Sequence, residues 1–214
     1  MTDPADLSAL RATAVIAVLR APSAAAAVAA SDALVAGGVT GIEITYSTPD
    51  APAAIREVRQ RYGDAVYLGA GTVLTEHHAT EAVAAGAQFL VSPGTDPGLT
   101  RTMIGTGVTV LSGAFTPSEV MLAASVGAHV VKLFPASLGG PGLLRALRGP
   151  FPDLAFCPTG GVDPDNLGDW LAAGAVAVGA GGELCPAAAL RSGDWGRITA
   201  AAERFAEAAR AAGR

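Results

Sequence analysis

Lysine is almost absent from this chain: of its 14 basic residues, Lys132 is the only one that is not an arginine. Cysteine is nearly as scarce. Cys157 and Cys185 stand in separate segments with no C-x-x-C or Cys/His ligand spacing, which disfavours both a disulfide framework and a zinc site, so they read as small core residues. Aromatic residues make up 5% and charged residues 15% of the sequence, and no run of like charges occurs within a net charge of −5. Clustered cations able to displace counterions from a phosphodiester backbone are therefore missing, and nucleic acid is not an expected partner. No uncharged apolar stretch reaches the ~20 residues of a membrane span, because Gly, Thr, Ser and Pro interrupt each candidate, so no membrane partner is expected. The first residues place Asp3 and Asp6 ahead of any apolar stretch, the reverse of a secretory signal, and the expectation is a cytoplasmic protein.

What is present is apolar. Half of the 214 residues are hydrophobic, enough to bury a large core, and the length suits one domain spanning 1–214. A short β-rich run followed by an Ala-rich helical stretch recurs eight times. The strand runs read as 15–20, 41–45, 65–72, 89–93, 108–113, 130–135, 154–161 and 175–181. Each is rich in Val, Ile or Leu and bounded by Gly or Pro, as buried parallel strands are. Helix starts are marked at Pro22-Ser23, Thr48-Pro49-Asp50, Thr116-Pro117-Ser118-Glu119 and Asp163-Pro164-Asp165, where a capping side chain stands beside a proline. Helix ends are marked by Gly37-Gly38, Gly86, Gly127 and Gly174. Eight such units predict an α/β fold, a single-domain (β/α)8 TIM barrel; an open doubly wound sheet fits six or seven units better.

In such a barrel the residues that meet a ligand sit at the carboxyl ends of the strands. Those ends offer Arg20, Glu43 with Thr45, Thr72, Ser92-Pro93-Gly94, Ser112-Gly113, Lys132 with Phe134, Thr159-Gly160-Gly161, and Gly179 to Glu183. Alternation along a strand puts Glu43 and Thr45 on one face with Ile42 and Ile44 on the other, and turns Lys132 inward with Val130 and Phe134. Burial favours the uncharged form of an amine, which can then attack a carbonyl, something a guanidinium cannot do. Strands 2 and 6 are both even-numbered, so Glu43 and Lys132 can share a layer of the interior; a buried structural ion pair is the plainer alternative.

The glycine turns at 159–161 and 179–182 close strands 7 and 8, where many such barrels cradle a phosphate on backbone N–H groups. With 27 glycines in the chain, tight turns alone would also account for them, and Glu183 is expected to face away. Arg20 can clamp a carboxylate or a phosphate, or serve a structural salt bridge. His77, His78 and His129 lie away from the strand ends and read as surface or core residues. Trp170 and Trp195 read as helix-packing residues.

The strand-end motifs Gly-Ile-Glu-Ile-Thr at 41–45, Gly-Ala-Gly-Thr-Val at 69–73, Val-Ser-Pro-Gly at 91–94, Val-Lys-Leu-Phe-Pro at 131–135 and Pro-Thr-Gly-Gly-Val at 158–162 resemble the KDPG/KHG aldolase family across nearly the whole chain. The resemblance implies a class I aldolase, a carbon–carbon lyase. Its substrates would be 2-keto-3-deoxy-6-phosphogluconate, cleaved to pyruvate and glyceraldehyde 3-phosphate, or 4-hydroxy-2-oxoglutarate, cleaved to pyruvate and glyoxylate. It further implies Entner–Doudoroff carbohydrate metabolism, a small-molecule 2-keto acid as partner, a homotrimer, and neither metal nor other cofactor. By position it puts the Schiff-base lysine on Lys132 and the general acid/base on Glu43. Thr72 and Pro93 fall at the pyruvyl pocket, Phe134 beside the lysine, and Thr159, Gly160 and Gly161 at the distal phosphate or carboxylate; the strand-end reading adds Thr45, Arg20, Gly181 and Gly182 as substrate contacts. Two departures stand out: Ser47 occupies the place, four residues beyond the glutamate, where many members carry Arg, so the carboxylate clamp must come from elsewhere, with Arg20 the candidate; and Gly182 takes the place of a Ser in the last turn, which removes a hydroxyl from the phosphate site, leaves its backbone donors and predicts a weaker phosphate grip. A phosphosugar isomerase or epimerase on the same barrel, a non-catalytic metabolite binder, and a Schiff-base aldolase for another aldehyde are the rival readings.

Overall fold

The computed structural model describes residues 6–214. Asp3, one of the two acids in the argument about the chain start, lies outside the described residues. Eight parallel strands run β1 (Val15–Leu19), β2 (Gly41–Thr45), β3 (Tyr67–Gly71), β4 (Phe89–Ser92), β5 (Thr109–Ala114), β6 (Val130–Leu133), β7 (Phe156–Pro158) and β8 (Val178–Ala180). The helices are α1 (Ser8–Thr13), α2 (Ala24–Ala36), α3 (Ala51–Tyr62), α4 (Glu76–Ala84), α5 (Pro97–Gly105), α6 (Pro117–Ser125), α7 (Gly140–Arg148), α8 (Leu167–Ala172), α9 (Ala187–Ser192) and α10 (Trp195–Ala211). Hydrogen-bonded neighbours follow the order β7-β6-β5-β4-β3-β2-β1-β8. The seam between β7 and β8 is drawn together by a bridge between Thr159 and Gly179 and by the Val176 N–H donating to the Phe156 carbonyl at 2.9 Å. The fold is the TIM barrel that the eightfold repeat predicts.

Two apolar clusters follow from the period of two along each strand. Ile42, Ile44, Val131 and Leu133 join the outer cluster between sheet and helices. Ile16, Phe89, Val91, Leu111, Val130, Cys157, Val176 and Ala177 form the inner one. Leu10 of α1 belongs to that inner set and is fully buried, so α1 stoppers the amino-terminal end of the barrel. α1 is a short helix with no acidic first turn and no side-chain cap, so no local signal in the sequence announces it.

Most strands stop short of their expected carboxyl ends. Pro93 and Pro135 have no N–H for the ladder. Thr72, Gly160 and Gly161 turn to positive φ and leave the β region. Ala65 lies in a 3-10 turn before β3 rather than in the strand. Arg20, Thr72, Pro93, Phe134, Thr159, Gly160, Gly161, Gly181 and Gly182 thereby stand on the loops above the barrel, while Glu43 and Lys132 remain within its strands.

Helix signals are realised unevenly. Ser23 and Thr116 accept from backbone N–H groups as N-caps, Thr116 within a capping box with Glu119. Asp163 instead gathers the Asp165 and Asn166 N–H groups in the loop ahead of α8. Thr48 caps nothing: its hydroxyl accepts the Ala21 N–H at 3.0 Å and ties the β1–α2 loop to the β2–α3 loop. Gly38, Gly86, Gly127 and Gly174 adopt the positive φ that a helix terminus needs. Gly37 serves another purpose, letting α10 approach, since a Cβ there would stand 2.5 Å from the Ala202 Cβ and 2.6 Å from the Thr199 carbonyl oxygen. Gly37→Ala is therefore expected to lower unfolding stability in urea by about 1–3 kcal/mol. Gly105→Ala in α5, where nothing lies within 4 Å of the added carbon, is expected to leave it unchanged or raise it by up to about 1 kcal/mol.

Candidate active site

Lys132 is 4% exposed and Glu43 2%, and both point into the barrel from β6 and β2. The Lys132 Nζ stands 3.8 Å from Glu43 Oε1 and 5.4 Å from the centroid of the Phe134 ring. Glu43 Oε1 is buried without a hydrogen-bond partner among the described residues. A buried ion pair offsets its desolvation only with close, fully hydrogen-bonded geometry. A gap of 3.8 Å and an orphaned oxygen are poor stabilising geometry and suit two groups that share a reacting molecule.

Absent side chains create this arrangement. A Cβ on Gly71 would stand 1.8 Å from Glu43 Oε1, so the carboxylate lies against bare backbone of β3. A Cβ on Gly113, the register partner of Lys132, would stand 2.0 Å from the Pro93 carbonyl oxygen, so only glycine lets that loop close over β5. Beside the lysine on the other side is Cys157, its register partner on β7. Burial pushes the Cys157 thiol up to about 12, with the Glu43 carboxylate adding to the rise and Lys132 opposing it. Cys185 is likewise pushed up to about 12 by burial, although Arg20 acts in the other direction.

Thr72 follows Gly71 with φ +54°, a left-handed conformation that a β-branched side chain rarely adopts. Strain of this kind persists where the surroundings over-determine it. The Gly71 carbonyl accepts the Tyr46 N–H at 2.9 Å, and the Val73 N–H donates to the Val91 carbonyl at 3.0 Å, which fixes the chain on both sides of Thr72. Pro93 is half-buried on the adjacent loop, and Phe134 is half-buried after β6.

The Thr45 hydroxyl donates to the Leu19 carbonyl at 2.9 Å and lies 2.6 Å from Ser47 Oγ, and the side chain is fully buried, so Thr45 ties β2 to β1. Ser112 is likewise used up, paired with Thr100 of α5 at 3.1 Å.

Arg20 is exposed, and among the described residues it makes no ion pair or side-chain hydrogen bond. Its guanidinium leans towards β8, with Nη1 3.3 Å from where a Cβ on Gly181 would stand. Gly160 and Gly161 take φ +95° and +72°. Thr159, only 5% exposed, fits against bare Gly179, whose Cβ would come 2.3 Å from its hydroxyl oxygen. Gly182, with open space where a Cβ would stand, and the exposed Glu183 both line an outer groove with Arg197 and Arg204 of α10.

The histidines and tryptophans lie elsewhere. His129 accepts the Val110 N–H on Nδ1 at 3.0 Å, near the start of β6. Trp170 is buried against the helices, and Trp195 packs beside the same cluster. His77 is exposed, and His78 stacks on Tyr46. No three His, Cys, Asp or Glu side chains converge as metal ligands among the described residues. A cavity of about 830 Å³ at the opposite end, lined by Arg11, His129, Arg148 and Asp153, touches neither Lys132 nor Glu43. Carbonyl chemistry at the amine therefore belongs at the carboxyl end of the barrel, whatever the size of that cavity.

The family described as "Aldolase: KDPG and KHG aldolase" matches residues 7–201. The 2-dehydro-3-deoxy-phosphogluconate aldolase of Pseudomonas aeruginosa is 43% identical over 83% of this chain and 82% of its own. The KHG/KDPG aldolase of Escherichia coli K12 is 44% identical over 86% of each chain. Among solved structures, the KDPG aldolase from Legionella pneumophila, with pyruvate captured as a covalent carbinolamine intermediate, superposes with a TM-score of 0.85. That match has 32% identity and covers 95% of this chain and 98% of that one.

Two outcomes test the geometry alone. Thr72→Gly is expected to keep or raise urea stability, by up to about 1 kcal/mol, because it releases left-handed strain. Both thiols are expected to resist alkylation at neutral pH in the native protein and to react once it is unfolded, as counted by mass spectrometry.

Proposed function

This chain belongs to the KDPG and KHG aldolase family, and from that membership we propose that it is a class I aldolase, cleaving 2-keto-3-deoxy-6-phosphogluconate to pyruvate and glyceraldehyde 3-phosphate. The observation that carries the proposal is the chain's one lysine, buried at 4% exposure and 3.8 Å from a buried carboxylate with an unpartnered oxygen.

In the mechanism, the neutral Lys132 Nζ attacks C2 of the 2-keto acid, and the carbinolamine loses water to an imine. The protonated imine draws the electron pair of the C3–C4 bond towards nitrogen while Glu43, through a water, takes the C4 hydroxyl proton. The aldehyde leaves, the enamine is protonated at C3 by the proton Glu43 holds, and water releases pyruvate and the free amine. The iminium is itself the electron sink, so the sequence of steps needs no cofactor. The pyruvate carbinolamine of the Legionella protein supports the first step.

The remaining assignments rest on position. Thr72, Pro93 and Phe134 surround the pyruvyl end. Thr159, Gly160, Gly161, Gly181 and Gly182 receive the distal group, and Arg20, which leans to β8 and has no ion-pair partner among the described residues, supplies it with a guanidinium. That placement favours a phosphorylated substrate over 4-hydroxy-2-oxoglutarate, whose cleavage to pyruvate and glyoxylate is the second reading. The proposal further comprises one barrel domain, a homotrimer, a cytoplasmic location and a place in Entner–Doudoroff carbohydrate breakdown.

Borohydride reduction in the presence of pyruvate is expected to leave one stable adduct, on Lys132. An unmodified Lys132 in folded protein would overturn the proposal. Lys132→Met is expected to abolish labelling and cleavage, and Glu43→Gln to slow cleavage by about 10²–10⁴-fold. Arg20→Ala is expected to lower kcat/KM for the phosphorylated substrate more than for 4-hydroxy-2-oxoglutarate.

A further inference from the structure

Thr72 holds an unfavourable backbone conformation, and one residue outside the barrel braces both ends of the loop that contains it. Tyr46 is the first residue after β2. Its N–H donates to the Gly71 carbonyl at 2.9 Å, immediately before Thr72. Its ring lies flat on His78 of α4, with centroids 3.9 Å apart and planes 8° from parallel. Its hydroxyl donates to the His78 carbonyl at 2.8 Å and lies 3.3 Å from Glu81 Oε2, one turn further along α4. Burial and the Glu81 carboxylate hold the Tyr46 phenol above its usual range, so it remains a donor at all ordinary pH.

The loop from 72 to 75 spans the gap between those two anchors. Thr75 accepts the His78 N–H at 3.1 Å as the N-cap of α4. The first turn of α4 is therefore held by Thr75 from the loop and by Tyr46 from the end of β2. With Gly71 held at one end and α4 at the other, the short segment between them has little room to relax Thr72 towards ordinary β geometry.

We infer that Tyr46 is a positioning residue, which sets substrate affinity by holding Thr72 in its left-handed conformation at the pyruvyl end of the site. This rests on the reading of Thr72 as a pocket residue. Tyr46 touches no reacting group: it fixes the direction in which the Thr72 side chain and the adjoining backbone face the substrate. Small misplacement of a binding group is costly to an oriented complex, so the effect falls on KM before it falls on kcat.

The test uses steady-state kinetics on the full-length protein with Tyr46→Phe, Tyr46→Leu, Thr72→Gly and Thr72→Gly/Tyr46→Leu. Tyr46→Leu, which loses both the stack and the hydroxyl, is expected to raise KM for the 2-keto acid by about five- to tenfold with kcat within about twofold. Tyr46→Phe keeps the stack and is expected to give a smaller rise. In the Thr72→Gly background Tyr46→Leu is expected to change KM no further, because the group it positions is gone. A purely structural role would lower the melting temperature and leave KM alone, and that result overturns the inference. So does an undiminished KM effect in the Thr72→Gly background. If Tyr46→Leu does not fold, the Phe variant with and without Thr72→Gly decides by the same criteria. Lys132 labelling by pyruvate in the unmodified protein separates a failure here from a failure of the aldolase reading.

Discussion

An amine and a carboxylate stand buried inside the barrel 3.8 Å apart, too far for a hydrogen bond, and the surrounding structure is arranged around that fact. Removing each ion from water costs several kcal/mol even after relaxation. Lys132 and Glu43 offset this only in part at 3.8 Å, with Glu43 Oε1 unpartnered. The cost is carried by the outer apolar cluster, where each strand turns its other face against helices and buries Ile42, Ile44, Val131 and Leu133 beside the two charged residues. A sheet buried on both faces can thus hold a destabilised pair within it without losing the fold. The neutral thiol of Cys157, pushed up to about 12, keeps a third charge from forming beside the lysine.

Space inside the barrel is made by deletion. Gly71 leaves bare backbone for the glutamate, Gly113 lets the Pro93 loop close over β5, and Gly179 admits the Thr159 hydroxyl. Each is a strand residue whose side chain would otherwise fill the interior layer, as branched residues do in the inner cluster around Phe89 and Leu111. The amino-terminal half of the barrel is packed and stoppered by Leu10, whereas the carboxyl half is hollowed by glycine. That polarity within a single sheet is what permits one end to stabilise and the other to react.

Much of this was legible in the sequence because it depends on period. The alternation in Gly-Ile-Glu-Ile-Thr sends Glu43 inward, and the same rule applied to Val-Val-Lys-Leu sends Lys132 to meet it. The lone lysine drew attention by its rarity. What was not legible depended on distant partners. Thr45 shares the inward face by period, yet its hydroxyl is consumed by the Leu19 carbonyl and Ser47. Thr48 looks like a helix cap and binds a loop 27 residues away instead. Arg20 could be read as clamp or salt bridge, and nothing in its neighbouring sequence separates the two; in the structure it leans towards Gly181 and makes no ion pair among the described residues. The stack of Tyr46 on His78 joins residues 32 apart with no motif to announce it.

The orientation of Arg20 also bears on the departure at Ser47. A 2-keto-3-deoxy acid that carries a phosphate is charged at both ends, and a guanidinium four residues beyond Glu43 would attract either end while the substrate enters. Here that position is a hydroxyl already paired with Thr45, and the Arg20 guanidinium stands across β1 from it, next to the β8 turn. Positive charge at the mouth is thereby moved to the side where the glycine turns present backbone, away from Thr72 and Pro93. Under the proposed function, a substrate charged at both ends would therefore meet an asymmetric field, with the guanidinium nearer the β8 turn than the Thr72 and Pro93 loops. If that field orients the substrate, removing the guanidinium costs a phosphorylated acid more than an unphosphorylated one, because the carboxylate common to all 2-keto acids lies at the other end.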